Sequence, residues 1–267
     1  MQIPRSFPAV VLFALLIGSS LAAAQSMMDQ VDLSTPTFTS AEMTRDDVAA
    51  LLTRVASGVP IDLAGKRLNG LDLSGLNFYR ANLRGAYLNN ADLRGANLEG
   101  AILDQAWALR ANFSQARLIG ASLVSAQMRD ANFVGANLSG ARVTADMTGA
   151  RLNGANLTGA DLSADMKNQS MGLMRAVLSS ADLTGADLSD ARLSRVKMEF
   201  AKLRGANLSG ADLMMAELAG ADLTGANVAG AIFDRADVAS TKLIDLIGVD
   251  QAVDLEKARN LDRALLR

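Results

Sequence analysis

The sequence predicts an all-β solenoid in which the chain turns a corner every five residues and closes a square coil after about 20. Two alanine tracts and one geometric argument carry this. From Ala81 to Ala141 every fifth residue is alanine, and two residues after each sits Leu, Phe, Met or Val, except at Ala108. The same frame returns from Ala176 to Ala236, broken only by Val196. Neither regular element can bury such a pattern. On an α-helix five residues advance the face by about 140°, which smears the stripe round the surface. On a flat strand an odd period sends successive apolar residues to opposite faces. A chain that turns once per repeat keeps every leucine inside, with alanine where the walls come close.

The segments follow in order. Residues 1–24 read as a secretory signal: Arg5 ahead of the apolar run Ala9 to Ile17, then Gly18 to Ser20, then Ala22 to Ala24 as small residues before cleavage after Ala24. The run is too short to span a bilayer, which takes about 20 apolar residues. Periplasmic or secreted location follows, with no membrane span after signal removal. Residues 25–40 are polar and aperiodic and are read as a flexible lead-in. Residues 41–60 hold a capping helix, Thr44–Ser57, with Thr44 as N-cap. Val48, Leu51, Leu52 and Val55 form its apolar stripe, and Gly58 and Pro60 stop it. Residues 61–243 form the rod. Residues 244–267 form a C-terminal cap, either irregular closing coils or a short helix with Leu255, Leu261 and Leu265 inward.

One stretch, Ala160 to Gly185, breaks the rhythm. Its apolar centres are read as Leu162, Met166, Leu173 and Leu178, after a first shortened step from Val143 to Met147. The shifts then cancel between Val143 and Leu178. This implies seven repeats with the coil count preserved, a small bulge at Lys167 to Gly172, and Met147, Met166 and Met171 as interior side chains. The 37 centres counted this way make about nine coils.

The units ADLRG, ANLEG, ADLTG and ANLSG resemble the pentapeptide repeat family over roughly Ile61 to Leu243. That resemblance implies a right-handed quadrilateral parallel β-helix. It also brings one known activity, mimicry of DNA by family members that bind DNA gyrase. Two features oppose that activity here. A signal would carry the protein away from gyrase. The rod also lacks an acidic field, with nine basic and six acidic residues from Ile61 to Thr144 and eight and nine from Leu173 to Leu243.

Composition narrows the chemistry. Cysteine and histidine are absent and the net charge is −2. Thiol and imidazole catalysis, their metal sites and disulfides are excluded, and no nucleic-acid partner is expected. No cofactor is implied. Asp72 and Asp92 stack on one wall beneath Asn112 and Asn132, which reads as a solvated hydrogen-bonded ladder rather than an acid–base couple.

The outward positions of the repeat hold a candidate binding surface. Coils stacked 20 residues apart place Arg67, Tyr87, Trp107 and Gln127 in one outward column, with Ile102 and Leu109 nearby. The single tryptophan and one of two tyrosines then lie on adjacent coils. This is either an exposed aromatic patch for a partner, or Trp107 folding over the thin core at Ala108. Met166, Met171 and Met174 form a weaker candidate for Cu(I), a soft metal suited to thioethers in an exported protein. The expected function is therefore an exported, non-enzymatic scaffold that binds an unknown envelope or periplasmic protein. A glycan- or Cu(I)-binding module is the alternative, with gyrase binding if the signal is misread. The C-terminal end is a candidate homodimer surface.

Overall fold

The computed structural model describes residues 31–54, 60–166 and 174–267. Ser34–Arg267 form one compact unit. The predicted signal segment 1–24 lies outside the described residues.

The rod is a four-sided parallel β-helix. Four columns of parallel bridges start at Asp62, Arg67, Asp72 and Asn77 and end at Val253, Arg259, Leu265 and Ile247. They comprise nine complete coils and three sides of a tenth. Each side is one rung long, and its backbone groups pair with the coils on either side. The Leu83 and Gly85 N–H groups donate to the Ile102 and Asp104 carbonyls at 2.7 and 2.8 Å, while Ile102 N–H donates to Ala81 at 2.9 Å. Ala86 N–H returns to the Leu83 carbonyl at 3.0 Å and closes the corner.

Each position of the repeat has a physical reason. The leucines and alanines of the tracts are buried, so the interior is filled with apolar atoms that need no partner. The Asp or Asn before each leucine does more than face solvent. Its side-chain oxygen accepts the N–H two residues ahead, as Asp92 does from Arg94 at 3.0 Å and Asn112 from Ser114 at 3.1 Å. That bond satisfies a corner donor that faces no neighbouring coil. The last position of the repeat is left-handed, with φ of 62° at Gly85, and non-glycine residues such as Asn90 (φ 56°) accept it too.

The structure corrects the reading of the irregular stretch. The first shortened step is real: Gln127 pairs with Asp146, where an unbroken frame would offer Met147, and Met147 is buried. The second is not. Asp146 pairs with Val177 and Asp161 with Arg192, so the chain supplies no rung between Asp161 and Val177, an excursion from the repeat, although the Ala164 N–H still donates to the Ser194 carbonyl of the next coil at 3.2 Å. Ala176 N–H donates to the Leu162 carbonyl at 3.3 Å, the same corner bond that Ala86 makes to Leu83, and Asp165 N–H donates to the Met174 carbonyl at 2.8 Å. Met166 is 47% exposed rather than interior, and the bulge at Lys167 to Gly172, with Met171, lies outside the described residues. Only five repeats, not seven, join Val143 to Leu178, because Ala164-Asp165-Met166 copies the authentic unit Ala145-Asp146-Met147 without taking its place. Deleting residues 164–174 joins Asp161-Leu162-Ser163 to Arg175-Ala176-Val177 in perfect five-residue frame. The deletion variant is expected to keep the parent far-ultraviolet spectrum and unfold within about 1 kcal/mol of it, since shortening a connection between two rungs changes closure entropy only slightly. Loss of cooperative unfolding would show that these residues belong to a coil.

Both ends are covered. Helix α1, Pro36–Thr39, is a single turn on the side of the rod. Helix α2, Arg45–Arg54, places Val48 in the core, with Leu51 and Leu52 packed beside it. Thr44 and Asp47 make a reciprocal cap. The Asp47 N–H donates to Thr44 Oγ1 at 3.2 Å, and the Asp47 carboxylate accepts the Thr44 N–H at 2.9 Å. Arg45 donates to the Asp72 and Ser74 carbonyls of the first coil. At the far end residues 247–265 form a closing coil rather than a terminal helix. Its corners are single 3-10 turns, Val249–Gln251, Leu255–Lys257 and Leu261–Arg263, each entered through a left-handed residue. Bridge positions there are six residues apart instead of five. Leu255 and Leu261 pack against the core, but Leu265 is a bridge residue facing outward and is exposed. Among the described residues no helix is long and apolar enough to cross a membrane.

Candidate functional site

Consecutive bridges align Arg67, Tyr87, Trp107 and Gln127 in one column. The column is not an open patch. Phe38, from the stretch expected to be a flexible lead-in, sets its ring edge-on to Tyr87 and Trp107, with centroids 5.3 and 4.8 Å away. Residues 34–42 thus form a strap across the first coils. Ala108 is fully buried in the core, so the small side chain there is closed off from solvent. Gln127 lies further along the column and donates to the Ser125 carbonyl at 3.4 Å. Ile102 belongs to the adjacent side, in line with Asn82 and Ser122, and is exposed. Leu109 sits at the corner beside Trp107 and is buried rather than available to a partner.

Three kinds of contact hold the strap, and an ion pair closes its end. The first is the aromatic edge contact of Phe38, worth about 0.5–1.5 kcal/mol beyond the area it buries. The second is a pair of stacked carboxamides. Asn69 Nδ2 donates to the Thr37 and Ser40 carbonyls, each at 3.0 Å, and Asn89 Nδ2 donates to the Phe38 carbonyl at 3.2 Å. Their oxygens accept the Asn89 and Leu109 N–H groups of successive coils at 3.0 and 2.9 Å. Asn69 is 4% and Asn89 3% exposed, so these donors depend on the strap for partners. The third is edge pairing. Ala41 bridges Leu68 in antiparallel sense and Glu42 N–H donates to the Arg67 carbonyl at 2.9 Å. The Glu42 carboxylate lies 3.1 Å from Lys66 Nζ and 3.3 Å from Arg67 Nε. Its hydrogen bond with Lys66 leads the causes that hold the carboxyl below the usual range.

Sequence reasoning missed Phe38, Glu42, Lys66, Asn69 and Asn89. The available signal was the repetition of Asn at one corner of two successive coils, Asn69 and Asn89, beside the aromatic column.

Of the methionine candidates, Met171 lies outside the described residues, and the segments of Met166 and Met174 are joined by the Asp165–Met174 backbone bond. Met174 Sδ accepts the Ser125 hydroxyl at 3.5 Å. Met166 lines a depression of about 370 Å³ with Arg142, Asp161, Ser163 and Arg192 at the foot of the excursion. No cluster of three or more Asp or Glu suited to a metal ion occurs among the described residues. A second depression, about 270 Å³, is lined by Arg175, Arg195, Met215, Glu217, Arg235 and Arg259. Arg175 and Glu217 meet there as a fork at 2.7 and 3.1 Å. The Asp72, Asp92, Asn112 and Asn132 wall is a hydrogen-bonded ladder: Asn112 Nδ2 donates to Asp92 at 3.2 Å and Asn132 Nδ2 to Asn112 at 3.0 Å.

The match to a family model agrees with this architecture. The family model "Pentapeptide repeats" matches eight copies, over residues 62–106, 110–144, 143–163, 173–210 and 211–245. Among solved structures, HetL, a pentapeptide repeat protein involved in heterocyst differentiation regulation in the cyanobacterium Nostoc sp. strain PCC 7120, is 28% identical. The match covers 84% of this chain and 97% of HetL, with a TM-score of 0.43. Full-length QnrB1, a plasmid-mediated fluoroquinolone resistance protein, is 20% identical over 72% of this chain and 90% of its own, with a TM-score of 0.41. A pentapeptide repeat protein of the Arabidopsis thaliana thylakoid lumen is 29% identical over 52% of this chain and 68% of its own, with a TM-score of 0.15. The search of curated proteins returns no match. With repeat units matched along most of the rod and every unit occupying one side of a four-sided coil, the chain belongs to the pentapeptide repeat family.

Proposed function

We propose that this protein is an exported, non-enzymatic interaction module whose aromatic side, around Tyr87 and Trp107, binds a protein of the cell envelope or periplasm. The observation that carries the reading is the strap. The one outward column that concentrates aromatic residues already holds a piece of polypeptide, through Phe38 and the amides of Asn69 and Asn89. Export rests on the pattern of Arg5, the apolar run Ala9 to Ile17 and Ala22 to Ala24. The carboxylates of the ladder walls are engaged with corner N–H groups and neighbouring amides, which suits a scaffold. The mixed charge of the outer columns, with Lys202 facing Asp182 and Lys242 facing Asp222, suits partner contact better than imitation of a polyanion.

The test is crosslinking and capture from the native envelope with the mature protein, against a variant with scrambled outer columns. Reproducible enrichment of one envelope protein by the parent alone is the expected result. No enrichment over the scrambled control, or recovery of the native protein in the cytosolic fraction, would overturn the reading.

A second reading, homodimerisation through the C-terminal end, is favoured by the closing coil. Ile247, Val249, Val253, Leu265 and Leu266 are all exposed there. A dimer that persists on dilution in light scattering, and is lost on Leu266→Asp, is expected.

A further inference from the structure

The strap is a template for what the face beneath it recognises. Its Phe38 and Glu42 are four residues apart, and each meets a separate feature of the rod. The ring sits edge-on to both Tyr87 and Trp107, and the carboxylate reaches Lys66 and Arg67. Between them the backbone is read without regard to side chain. Buried Asn69 and Asn89 donate to three strap carbonyls, and the Arg67 carbonyl accepts a strap N–H. Edge pairing for affinity, with pockets for chosen side chains, is how sheet edges take up peptides.

We infer that this face is a peptide-recognition site, and that its partner presents an extended segment with an aromatic side chain followed four residues later by a carboxylate. The strap is the resident occupant, displaced when the partner binds. The inference rests on the reading of this side as the partner-binding surface. Displacement leaves the rod intact. Helix α1 has no buried residue, whereas Val48 of α2 is fully buried and anchors the chain just beyond the strap. The strap can therefore open as a local unit while the capped rod persists. Tethering gives the strap a high effective concentration, so a free peptide binds only weakly until the strap's own anchors are removed.

The experiment uses the full chain carrying Phe38→Ala with Glu42→Gln, and a synthetic nonapeptide of residues 34–42, STPTFTSAE. Trp107, the only tryptophan, reports occupancy by its emission. The variant is expected to emit at longer wavelength than the parent, and the peptide is expected to restore the parent emission saturably. Peptides with alanine for the phenylalanine, or glutamine for the glutamate, are expected to bind about tenfold more weakly. Circular dichroism confirms the rod. If the double variant does not fold, Phe38→Ala alone is titrated in the same way. The inference is overturned if no peptide changes Trp107 emission, if all three peptides act alike, or if the parent protein forms dimers by exchanging straps between copies. Peptide rescue without capture of an envelope protein removes the envelope reading but not the site. Capture of an envelope protein without peptide rescue removes the site alone.

Discussion

Phe133→Ala is expected to lower the unfolding free energy by about 3–5 kcal/mol, the cost of deleting a large ring from a core that cannot close round the gap. Phe133 is fully buried and stacks on Phe113 of the preceding coil, centroids 4.8 Å apart and rings within 4° of parallel. The walls cannot move inward. Phe113 N–H is held to the Asn132 carbonyl and Phe133 N–H to the Arg151 carbonyl, each at 2.7 Å. Urea titration of the variant beside Phe200→Ala gives the comparison. Phe200 lies at a corner, 66% exposed, and its truncation is expected to stay within about 0.5 kcal/mol of the parent. The double variant Phe113→Ala with Phe133→Ala is expected to cost less than the sum of the two, because the ring–ring term of about 0.5–1.5 kcal/mol is lost only once. Equal costs at Phe133 and Phe200 would contradict the interior assignment.

Asp161→Ala is expected to cost about 2–3 kcal/mol, since a largely buried carboxylate with charged partners is removed. Asp161 Oδ2 accepts from Arg142 and Arg192, each at 2.6 Å, and Oδ1 accepts from the Ser163 N–H and hydroxyl at 3.1 and 2.6 Å. It ties the coil before the excursion to the coil after it. Burial raises the Asp161 carboxyl, but the hydrogen bonds from Ser163 and Arg192 outweigh it and leave the group below its ordinary value. Burial is likewise overcome at Asp182, Asp187 and Asp237, and at Asp222, which is lowered to about 2.

The folded state therefore binds these protons less readily than the unfolded chain. The stabilisation is complete above the unfolded carboxylate range, near pH 4, and is lost as pH falls through the folded values toward 2. Urea midpoints measured between pH 6 and 2 are expected to be level above about pH 5 and to fall steeply below about pH 4. The Asp161→Ala protein should fall less steeply than the parent. A parent midpoint that rose on acidification would reverse the sign and refute the assignment.

The rod was legible because its cause is local and repeated. The A-(D/N)-L-x-x unit states which residue enters the core, and the period of five admits no helix or flat strand. The purpose of Asp and Asn was only half legible. Their stacking into ladders follows from the 20-residue spacing, but their capping of the corner N–H needs the corner geometry. Composition misled at Ala164-Asp165-Met166, which satisfies the repeat pattern and still forms no rung. A motif records what can occupy a rung and carries no information on whether the chain is there to occupy it. At the other end a signal was present and unread. Gly248, Asp254 and Asn260 recur every six residues, each followed four residues later by Ala252, Ala258 or Ala264, and this is the wider turn of the closing coil.

The site divides in the same way. Placing Tyr87 above Arg67 and Trp107 above Tyr87 needed only arithmetic on a coil of 20 residues. Placing Phe38 on both needed the folded chain, because Phe38 precedes the first repeat and shares no period with Tyr87 or Trp107. By itself the sequence determined the square solenoid, its alanine and leucine interior and the alignment of its outward columns, because each depends on short-range spacing repeated many times. Only the tertiary structure decided that residues 164–166 add no rung and that the aromatic column is covered by the chain's own strap. Those outcomes turn on single long-range contacts, whose stability is set by the surfaces that meet and not by any pattern along the chain.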